Sequence, residues 1–248
     1  MTSTSSIPPV STTTAREAQD LRWEDGVPVS GRFDDPYYSR EDGLAETRHV
    51  FLAGCRIADM AREGRNRVAE LGFGTGLNFC ATLAEWERHA PPGLALEYTA
   101  FEMHPMDAGE IDRALSVWPE LDAWREALVG RWMPEGGIAS VGPARLTLVT
   151  GDARASLPGW EGTADAWYLD GFAPSRNPEM WEPALLAAVG RACAPGGIAA
   201  TYSVAGAVRR GLEAAGFALE RLPGYGRKRE MLRAVRIPRD RAIPGCRR

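Results

Sequence analysis

Four acidic side chains lie at or near the ends of apolar segments of the sequence: Glu70, Glu102, Asp152 and Asp170. Carboxylates accept hydrogen bonds from hydroxyl and amino groups, and a well-placed carboxylate can also take a proton as a general base. The carboxyl ends of parallel strands meet at one edge of a sheet, where such proteins bind ligands. If the four segments are parallel strands, we expect these acids to line one site.

A glycine-rich turn follows the first segment in the stretch "ELGFGTGLNF" (70–79), which contains Gly72, Gly74 and Gly76. Glycine permits positive φ angles and a close approach of a ligand to the backbone, and the helix that follows would offer free N–H groups at its start. Leu77 breaks the dinucleotide pattern GxGxxG, and no GKS or GKT motif follows. The pattern is typical of proteins that bind S-adenosylmethionine (SAM), although a tight turn without a ligand remains an alternative.

The other acids extend this interpretation to the whole SAM molecule. Glu102 follows Gly72 by thirty residues rather than the roughly twenty of the NAD pattern, and we assign it to the ribose hydroxyls. Asp152 would accept a hydrogen bond from the adenine amino group, but an Asx turn or a helix N-cap explains this residue equally well. The predicted cofactor-binding residues are Glu70, Gly72, Gly74, Gly76, Asn78, Glu102 and Asp152.

The loop "YLDGFAPSRNPEMW" (168–181) places an acid, an aromatic residue and two prolines directly after an apolar run. An amine must be uncharged to accept a methyl group, and Asp170 could orient its lone pair and take its proton. Phe172 could stack on a flat acceptor such as a base. These types predict an N-methyltransferase with Asp170 and Phe172 as catalytic residues. Alternatively, Asp170 is a helix cap or pairs with Arg176, and Phe172 belongs to the core. For Met180 and Trp181 of this loop, we prefer a position in the core.

Apolar periodicity and turn residues predict strands that alternate with helices. The predicted strands are 67–71, 94–102, 144–152, 164–170, 198–203 and two closing strands at 217–224 and 229–237. The predicted helices are 43–62, 77–89, one or two within 105–128, 177–197 with Gly196 and Gly197 as the stop, and 205–216. This order predicts an α/β fold of the Rossmann-like class I SAM-dependent methyltransferase type, with a mostly parallel sheet and an antiparallel edge hairpin.

The ends of the chain differ in composition from its middle. A polar leader is predicted at 1–18 and an extension at 19–62, in which a hairpin and a helix pack on the core. The methyltransferase domain follows at 63–237, and a basic tail at 238–248 completes the predicted division. No apolar run is long enough for a transmembrane helix, and the N-terminus does not resemble a secretory signal, so we expect a cytoplasmic protein without a membrane partner.

The cysteines and histidines argue against a metal. Cys55, Cys80, Cys193 and Cys246 form no CxxC pair, and the three histidines of the chain show no ligand spacing. We therefore predict neither a metal site nor disulfides.

Charge is unevenly distributed along the chain. The net charge is −4, yet residues 221–248 contain ten basic and two acidic residues. A basic end on an acidic body is typical of a protein with a polyanionic partner, although a solvated arginine-rich tail would look the same.

Four segments resemble the methyltransferase domain of the MnmC family: "FDDPYYSREDGLAETRHVFLAG", "ELGFGTGLNF", "DGFAPSRNPEMW" and "GYGRKREML". The resemblance covers about 23–235, and its third and fourth segments are highly specific. It implies methyl transfer from SAM to the 5-aminomethyl group of the wobble uridine in tRNA. The chain resembles the stand-alone, MnmD-type form, which implies no FAD and a substrate made by an upstream tRNA-modifying enzyme system.

The resemblance also implies roles for charged and aromatic residues outside the two loops. Arg227, Lys228 and Arg229 are assigned to the backbone of the anticodon stem-loop. Within the 168–181 loop, Arg176 stands where the family usually has lysine; it would serve as a tRNA phosphate contact but could not replace a lysine that handles a proton. Met103 and His104 depart from the family but leave Glu102 in place. A flap over the cofactor or the base would consist of Asp34, Asp35, Tyr37 and Tyr38, which could equally well anchor the hairpin.

Two other function classes compete with a tRNA methyltransferase. A SAM-dependent N-methyltransferase of a small amine would explain the glycine turn and Asp170 but not the basic end of the chain. A non-catalytic module that binds SAM or RNA would leave the composition of the 168–181 loop unexplained.

Overall fold

A computed structural model describes residues 20–238. The predicted leader, Cys246 and all of the predicted tail except its first residue lie outside these residues. The described chain opens with an antiparallel sheet of three short strands, β1 (Leu21–Glu24), β2 (Val27–Ser30) and β3 (Asp35–Pro36). Asp25 and Gly26 turn the first hairpin with positive φ angles of 50° and 82°, as the tight turn of such hairpins requires. This hairpin confirms the sequence prediction.

The predicted single helix at 43–62 is wrong in its continuity. The structure has helix α1 (Gly43–Thr47), a π-helical turn (Arg48–Ala53) and, after a break, helix α2 (Ile57–Arg62). The break lies at Arg56, whose φ angle of 56° is left-handed. A left-handed residue cannot continue a right-handed helix, so the helix is interrupted here. The spacing of the apolar residues gives no sign of this interruption.

An eight-stranded sheet forms the centre of the molecule. Its strands are β4 (Arg67–Leu71), β5 (Leu96–Glu102), β6 (Gly137–Val141), β7 (Ala144–Thr150), β8 (Ala164–Leu169), β9 (Cys193–Thr201), β10 (Phe217–Pro223) and β11 (Glu230–Arg236). The strands run in the order β10-β11-β9-β8-β4-β5-β7-β6. The five from β9 to β7 are parallel, and β6, β11 and β10 are antiparallel to their neighbours. The mostly parallel sheet with its edge hairpin is confirmed.

Six further helices follow: α3 (Leu77–His89), α4 (Ala108–Leu115), α5 (Asp122–Val129), α6 (Ala153–Ser156), α7 (Pro183–Ala192) and α8 (Gly206–Ala214). Helices α2 to α5 share one buried apolar cluster on one face of the sheet, and α6 to α8 share a second cluster on the other face. Alternate strand residues enter the two clusters, as Val68 and Ala69 of β4 show. The fold is the α/β type expected from alternating strands and helices.

The structure differs from the sequence prediction in two further elements, one predicted helix and one strand that was not predicted. The predicted helix at 177–197 is a 3₁₀ turn (Pro178–Trp181) followed by α7, and Gly196 and Gly197 lie inside β9 instead of stopping a helix. Pro195 explains the early end of α7, because the residue before a proline disfavours the helical region. Strand β6 was missed, since four of its five side chains are at least partly exposed and its sequence "GIASV" shows no strong alternation.

Strand β4 lies between β5 and β8 in the sheet. From β4, the strands β5 and β7 extend the sheet to one side, and the strands β8 and β9 extend it to the other, so the strand order reverses at β4. Ligands bind at such a switch point, beyond the carboxyl ends of the strands. The ends of β4, β5, β7 and β8 meet here, and each leads into one of the loops with the predicted acids.

Candidate active site

A cavity of about 620 Å³ opens at this edge of the sheet. Its walls include the glycine turn after β4, the ends of β5 and β7, the loop after β8, helix α1 and the turn between β10 and β11. Small-molecule sites in proteins have volumes of roughly 300 to 1,000 Å³. The two loops that the sequence singles out therefore belong to one site.

The glycine turn brings the backbone to the floor of this cavity. Gly72, Gly74 and Gly76 have φ angles of 86°, 54° and 77°, a region that other residues rarely adopt. A Cβ atom on Gly72 would lie 2.6 Å from the carbonyl oxygen of Asp170. The turn and the loop after β8 can approach this closely only because that Cβ is absent.

Glu102 joins the end of β5 to the glycine turn. One carboxylate oxygen accepts the backbone N–H of Gly74 at 2.9 Å, and the other accepts that of His104 at 2.8 Å. Each carboxylate oxygen has a second lone pair, so hydroxyl groups of a ribose can still donate to Glu102. Met103 and His104, which depart from the family pattern, line the cavity beside it.

Asp152 has the geometry of a helix N-cap. Its carboxylate accepts the backbone N–H of Arg154 at 2.8 Å and caps α6, and the Arg154 guanidinium donates to it at 2.7 Å. The hydrogen bond with Arg154 lowers the pKa of Asp152. The residue also lines the cavity, so the cap and the predicted contact with adenine are compatible.

Glu70 and Asn78 form a buried hydrogen-bond network below the turn. The Glu70 carboxylate has no exposed surface and accepts from the Tyr98 hydroxyl and the Asn78 amide nitrogen, both at 2.7 Å. The Asn78 amide oxygen accepts from the Thr47 hydroxyl at 2.9 Å. Burial, and next the charge of Asp170, raises the pKa of Glu70 well above its ordinary value. Because Glu70 is fully buried, it would affect the cofactor only indirectly, by supporting the glycine turn above it.

Asp170 lies at the end of β8 and is held by the same network. The Asn78 amide nitrogen donates its second hydrogen to Asp170 at 2.6 Å. Burial raises the pKa of Asp170 to about 7, an effect that the hydrogen bond from Asn78 opposes, while the charge of Glu46 adds to it and that of Lys228 opposes it. A carboxylate with this pKa can take a proton at neutral pH, as a general base must.

This raised pKa predicts that Asp170 destabilises the fold at neutral pH. An ordinary aspartate ionises near pH 4, so stability is lost as the pH rises from about 4 through about 7. Asp170→Asn does not ionise and can still accept from Asn78. We expect it to be more stable than the wild type by about 1 to 3 kcal/mol at pH 8 and by little at pH 4. Urea unfolding at both pH values measures this difference, and an equal difference at both would contradict it.

Phe172 lies in an aromatic cluster at the mouth of the cavity. Its ring centre is 4.8 Å from that of Phe33 and 5.1 Å from that of Tyr37. The Ala173 backbone N–H donates to Asp35 at 3.0 Å, which joins the loop after β8 to the N-terminal sheet. Tyr37 therefore lines the cavity, as a flap residue would, whereas Asp35 contacts the loop after β8 without lining the cavity. Phe33 is a further aromatic residue that the sequence analysis missed.

The other predicted flap residues have structural contacts. Tyr38 is buried, donates its hydroxyl hydrogen to the carbonyl oxygen of Ala114 at 3.1 Å and packs on Trp118. Asp34 pairs with Arg22 at 2.7 Å and with Arg176 at 2.9 Å. The ion pair of Arg176 is therefore with Asp34, and Asp170 is held by Asn78 instead.

The loop after β8 also contributes to the core. Trp181 is buried and donates its indole N–H to the carbonyl oxygen of Phe172 at 2.9 Å, whereas Met180 is only partly buried and lines the cavity. The core alternative therefore holds for Trp181 and only in part for Met180.

The basic residues of the C-terminal hairpin serve several purposes. Arg233 and Arg236 donate to backbone carbonyls, and Arg221 pairs with Glu230. Arg227 pairs with Glu41 at 3.0 Å at the rim of the cavity, and Lys228 pairs with Glu46 at 2.8 Å in its wall. Arg229 is exposed. Part of the basic segment thus stabilises the fold, and 227–229 lie beside the site.

Sequence reasoning missed the members of the site that come from distant segments: Phe33, Glu46, Thr47 and Tyr202. Tyr202 follows β9, and its hydroxyl donates to the carbonyl oxygen of Gly171 at 2.6 Å. Glu46 lies in α1, within the segment that the family resemblance covers. No motif predicted these contacts, because they join residues that are far apart in the chain.

Residues 20–238 offer neither a metal cluster nor a membrane-spanning helix. No cluster of three or more His, Cys, Asp or Glu residues in this range is arranged to hold a metal ion. No helix of this range is long and apolar enough to cross a membrane. The three cysteines described, Cys55, Cys80 and Cys193, are buried free thiols.

Comparison with known proteins gives consistent results. Residues 119–237 match the family described as S-adenosyl-L-methionine-dependent methyltransferase. Over 222 residues, 86% of this chain, the sequence is 49% identical to the tRNA 5-methylaminomethyl-2-thiouridine biosynthesis bifunctional protein MnmC of Pseudomonas paraeruginosa. The identity is also 49% over 223 residues, 87% of this chain, with the protein of the same name from Caulobacter vibrioides.

The chain spans 34% and 38% of the lengths of these two relatives, about a third of each. Among solved structures, the fold is similar to that of MnmC2 from Aquifex aeolicus, with a TM-score of 0.68 and 24% identity. That similarity covers 89% of this chain and 71% of the other. The solved structure supports the fold.

Proposed function

We propose that this chain is an S-adenosyl-L-methionine-dependent methyltransferase and that it methylates the 5-aminomethyl group of the wobble uridine (position 34) in tRNA. The product would be 5-methylaminomethyl-uridine or its 2-thio form. The observation that carries the proposal is Asp170, a carboxylate with a pKa of about 7, beside an aromatic cluster and the glycine turn. This combination suits a primary amine on a flat base.

The residues of the cavity fit SAM. The glycine turn offers a surface that a Cβ atom would obstruct, Glu102 offers acceptors for hydroxyl groups, and Asp152 offers an acceptor for an amino group. When bound, SAM supplies a methyl group made electrophilic by its sulfonium. The methionine end would lie on the turn at Gly72, Gly74 and Gly76.

The residues around Asp170 would prepare the acceptor. The Asp170 carboxylate accepts an N–H of the aminomethyl group, aims the nitrogen lone pair into the cavity and takes the proton that the nitrogen loses. Phe172, supported by Phe33 and Tyr37, stacks on the base and excludes water from the amine. The flap residue Asp35 fixes this loop through Ala173.

The relatives named MnmC are bifunctional proteins of tRNA modification, and the substrate proposal rests on their similarity to this chain. With a tRNA substrate, the protein would act in the cytoplasm, and an upstream tRNA-modifying enzyme would supply the primary amine. Arg227 and Arg229, which are exposed beside the cavity, would contact phosphates of the anticodon stem-loop and position the base.

A nucleoside assay tests the substrate. The purified protein is incubated with methyl donor and tRNA that carries 5-aminomethyl-uridine at the wobble position, and the nucleosides are resolved by mass. A gain of one methyl group on that nucleoside supports the proposal. If small amines are methylated but this tRNA is not, the protein is a small-molecule N-methyltransferase, and the tRNA assignment is wrong.

The phosphate contacts predict a strong dependence of tRNA affinity on salt. Each phosphate contact contributes roughly one unit to the slope of log affinity against log salt concentration. Arg227→Ala and Arg229→Ala should each reduce this slope by about one. Arg62→Ala serves as the control, because Arg62 contacts His89 at the far end of α3 and should leave the slope unchanged. A slope that does not respond to Arg227→Ala or Arg229→Ala would remove these residues from the RNA contact.

A further inference from the structure

An ion pair lies in the wall of the cavity, between residues that are 182 positions apart. The Lys228 ammonium is 2.8 Å from the Glu46 carboxylate, and it also lies 3.7 Å from the ring centre of Tyr202. The Glu46 side chain is only 12% exposed. Lys228 is the single lysine of a chain otherwise rich in arginine. Three separate elements, α1, the end of β9 and the β10–β11 turn, thus meet at one cation.

This arrangement differs from that of the neighbouring basic residue. Arg227 pairs with Glu41 and its side chain is 93% exposed, so solvent screens its charge. The pair of Glu46 and Lys228 lines the cavity with a largely buried carboxylate, where charges act over longer distances. The Lys228 side chain is 42% exposed, but its ammonium is held by the Glu46 carboxylate and lies over the ring of Tyr202.

The pair acts on the same group that the reaction uses. Tyr202, below the ammonium, donates its hydroxyl hydrogen to the carbonyl oxygen of Gly171, the residue after Asp170. Burial and the hydrogen bond from Asn78 have the largest effects on the pKa of Asp170. The next effects are those of two charges: Glu46 raises this pKa and Lys228 lowers it. The two charges therefore have opposite effects on one carboxylate.

We propose that Glu46 and Lys228 are a positioning pair that sets the charge of Asp170, and that Lys228 is a pocket residue rather than a phosphate contact. This inference rests on the proposed function, in which Asp170 takes the proton of the acceptor amine. The ammonium keeps Asp170 ionised and ready to accept, and Glu46 holds the ammonium in place and limits its effect.

The other groups that face Asp170 cannot take this role. Glu70 of β4 and Tyr98 of β5 are hydrogen-bonded to each other, and burial raises the pKa of each well above its ordinary value, so both groups favour their neutral forms. Asn78 of α3 carries no charge. Burial raises the pKa of Tyr202 well above its ordinary value, so its hydroxyl stays neutral near pH 7. Glu46 and Lys228 are thus the pair whose removal changes the charge around Asp170 without disrupting the buried network.

The test is a titration of Asp170 in the full-length protein, without tRNA or methyl donor. The ¹³C signal of its carboxyl carbon, identified by its loss in Asp170→Asn, reports the midpoint directly. Lys228→Met should raise the midpoint by roughly 0.5 to 1 pH unit, and Glu46→Gln should lower it by a similar amount. The double variant should return close to the wild-type midpoint, and Lys228→Arg, which keeps the charge, should remain there.

An exposed ion pair of the same region provides the matched control. Arg48 pairs with Glu120 at 3.5 Å and lies two residues after Glu46. Arg48→Met should leave the midpoint of Asp170 unchanged, because this pair lies outside the cavity wall and its carboxylate, Glu120, is 50% exposed whereas that of Glu46 is 12% exposed. In the methylation assay, the acid limb of kcat/KM should move with the midpoint for Lys228→Met and not for Arg48→Met.

Several outcomes would overturn the inference. If the midpoint of Asp170 does not change in Lys228→Met and Glu46→Gln, or moves in the same direction in both, the pair has only a structural role. A loss of salt dependence in tRNA binding for Lys228→Met, with an unchanged midpoint, would return Lys228 to the phosphate contacts. Failure of the wild type to methylate tRNA would contradict the proposed function, while the titration would still decide the role of the pair.

Discussion

Asp170→Asn is expected to reduce kcat for methylation of 5-aminomethyl-uridine in tRNA by about 100- to 10,000-fold, the usual contribution of a general base. The carboxamide cannot take a proton, and it presents an N–H where the amine needs an acceptor. The wild type should lose activity as the pH falls below about 7, because protonation of Asp170 removes the base. Single-turnover rates measured from pH 5.5 to 8.5 would show both effects.

Binding measurements separate this loss from a defect in the fold. Asp170→Asn should still bind the methyl donor, because Glu102, Asp152 and the glycine turn remain. The amide also matches the shape of the carboxyl, so the contact with Asn78 survives. A variant that binds donor and tRNA normally and methylates at the wild-type rate would show that Asp170 is not the base.

Asn78→Ala is expected to have the second largest effect, on stability and on activity together. The substitution removes one amide that donates to two carboxylates and accepts from Thr47. Hydrogen bonds to charged groups contribute roughly 1.5 to 3 kcal/mol each, and the loss of these contacts should lower the free energy of unfolding by about 2 to 4 kcal/mol. Because the bond from Asn78 lowers the pKa of Asp170, its loss should raise that pKa and reduce the rate at pH 7 roughly tenfold.

Thr82→Val is the matched control for this variant. Thr82 lies one turn further along α3, is fully buried, and its hydroxyl contacts the Asn78 carbonyl oxygen and the Tyr168 hydroxyl. Valine keeps the volume and removes buried hydrogen bonds, so stability should fall while the pH dependence of the rate stays the same. If Asn78→Ala loses stability but its acid limb does not move, Asn78 only supports the fold.

The order of strands and helices could be predicted from the sequence because it depends on local rules. Apolar runs bounded by turn residues located β4, β5, β7, β8 and β9, although β9 begins earlier than predicted. The glycine turn and Asp170 could be placed in one site, since parallel strands end at the same edge of a sheet. The family resemblance added a substrate that the residue pattern alone left open between tRNA and a small amine.

Elements that depend on tertiary contacts could not be predicted in this way. The break at Arg56 requires a left-handed residue that the spacing of apolar residues does not reveal, and β6 is a largely exposed edge strand whose position depends on pairing with β7. The helix predicted to reach 197 failed because β9 begins to pair with β8 at Cys193 and with β11 at Ile198. In these places a contact with a distant segment decides between two local possibilities.

The sequence by itself determined which chemical groups the protein has: a glycine turn, carboxylates at strand ends and an aromatic residue beside Asp170. Only the tertiary structure decided what each group contacts. Glu70 became a buried partner of Asn78, Asp34 an ion-pair partner of Arg176, and Lys228 a charge in the pocket wall. The physical reason is that a carboxylate or an ammonium takes its role from burial and from the charges around it, and segments up to 182 residues apart provide both.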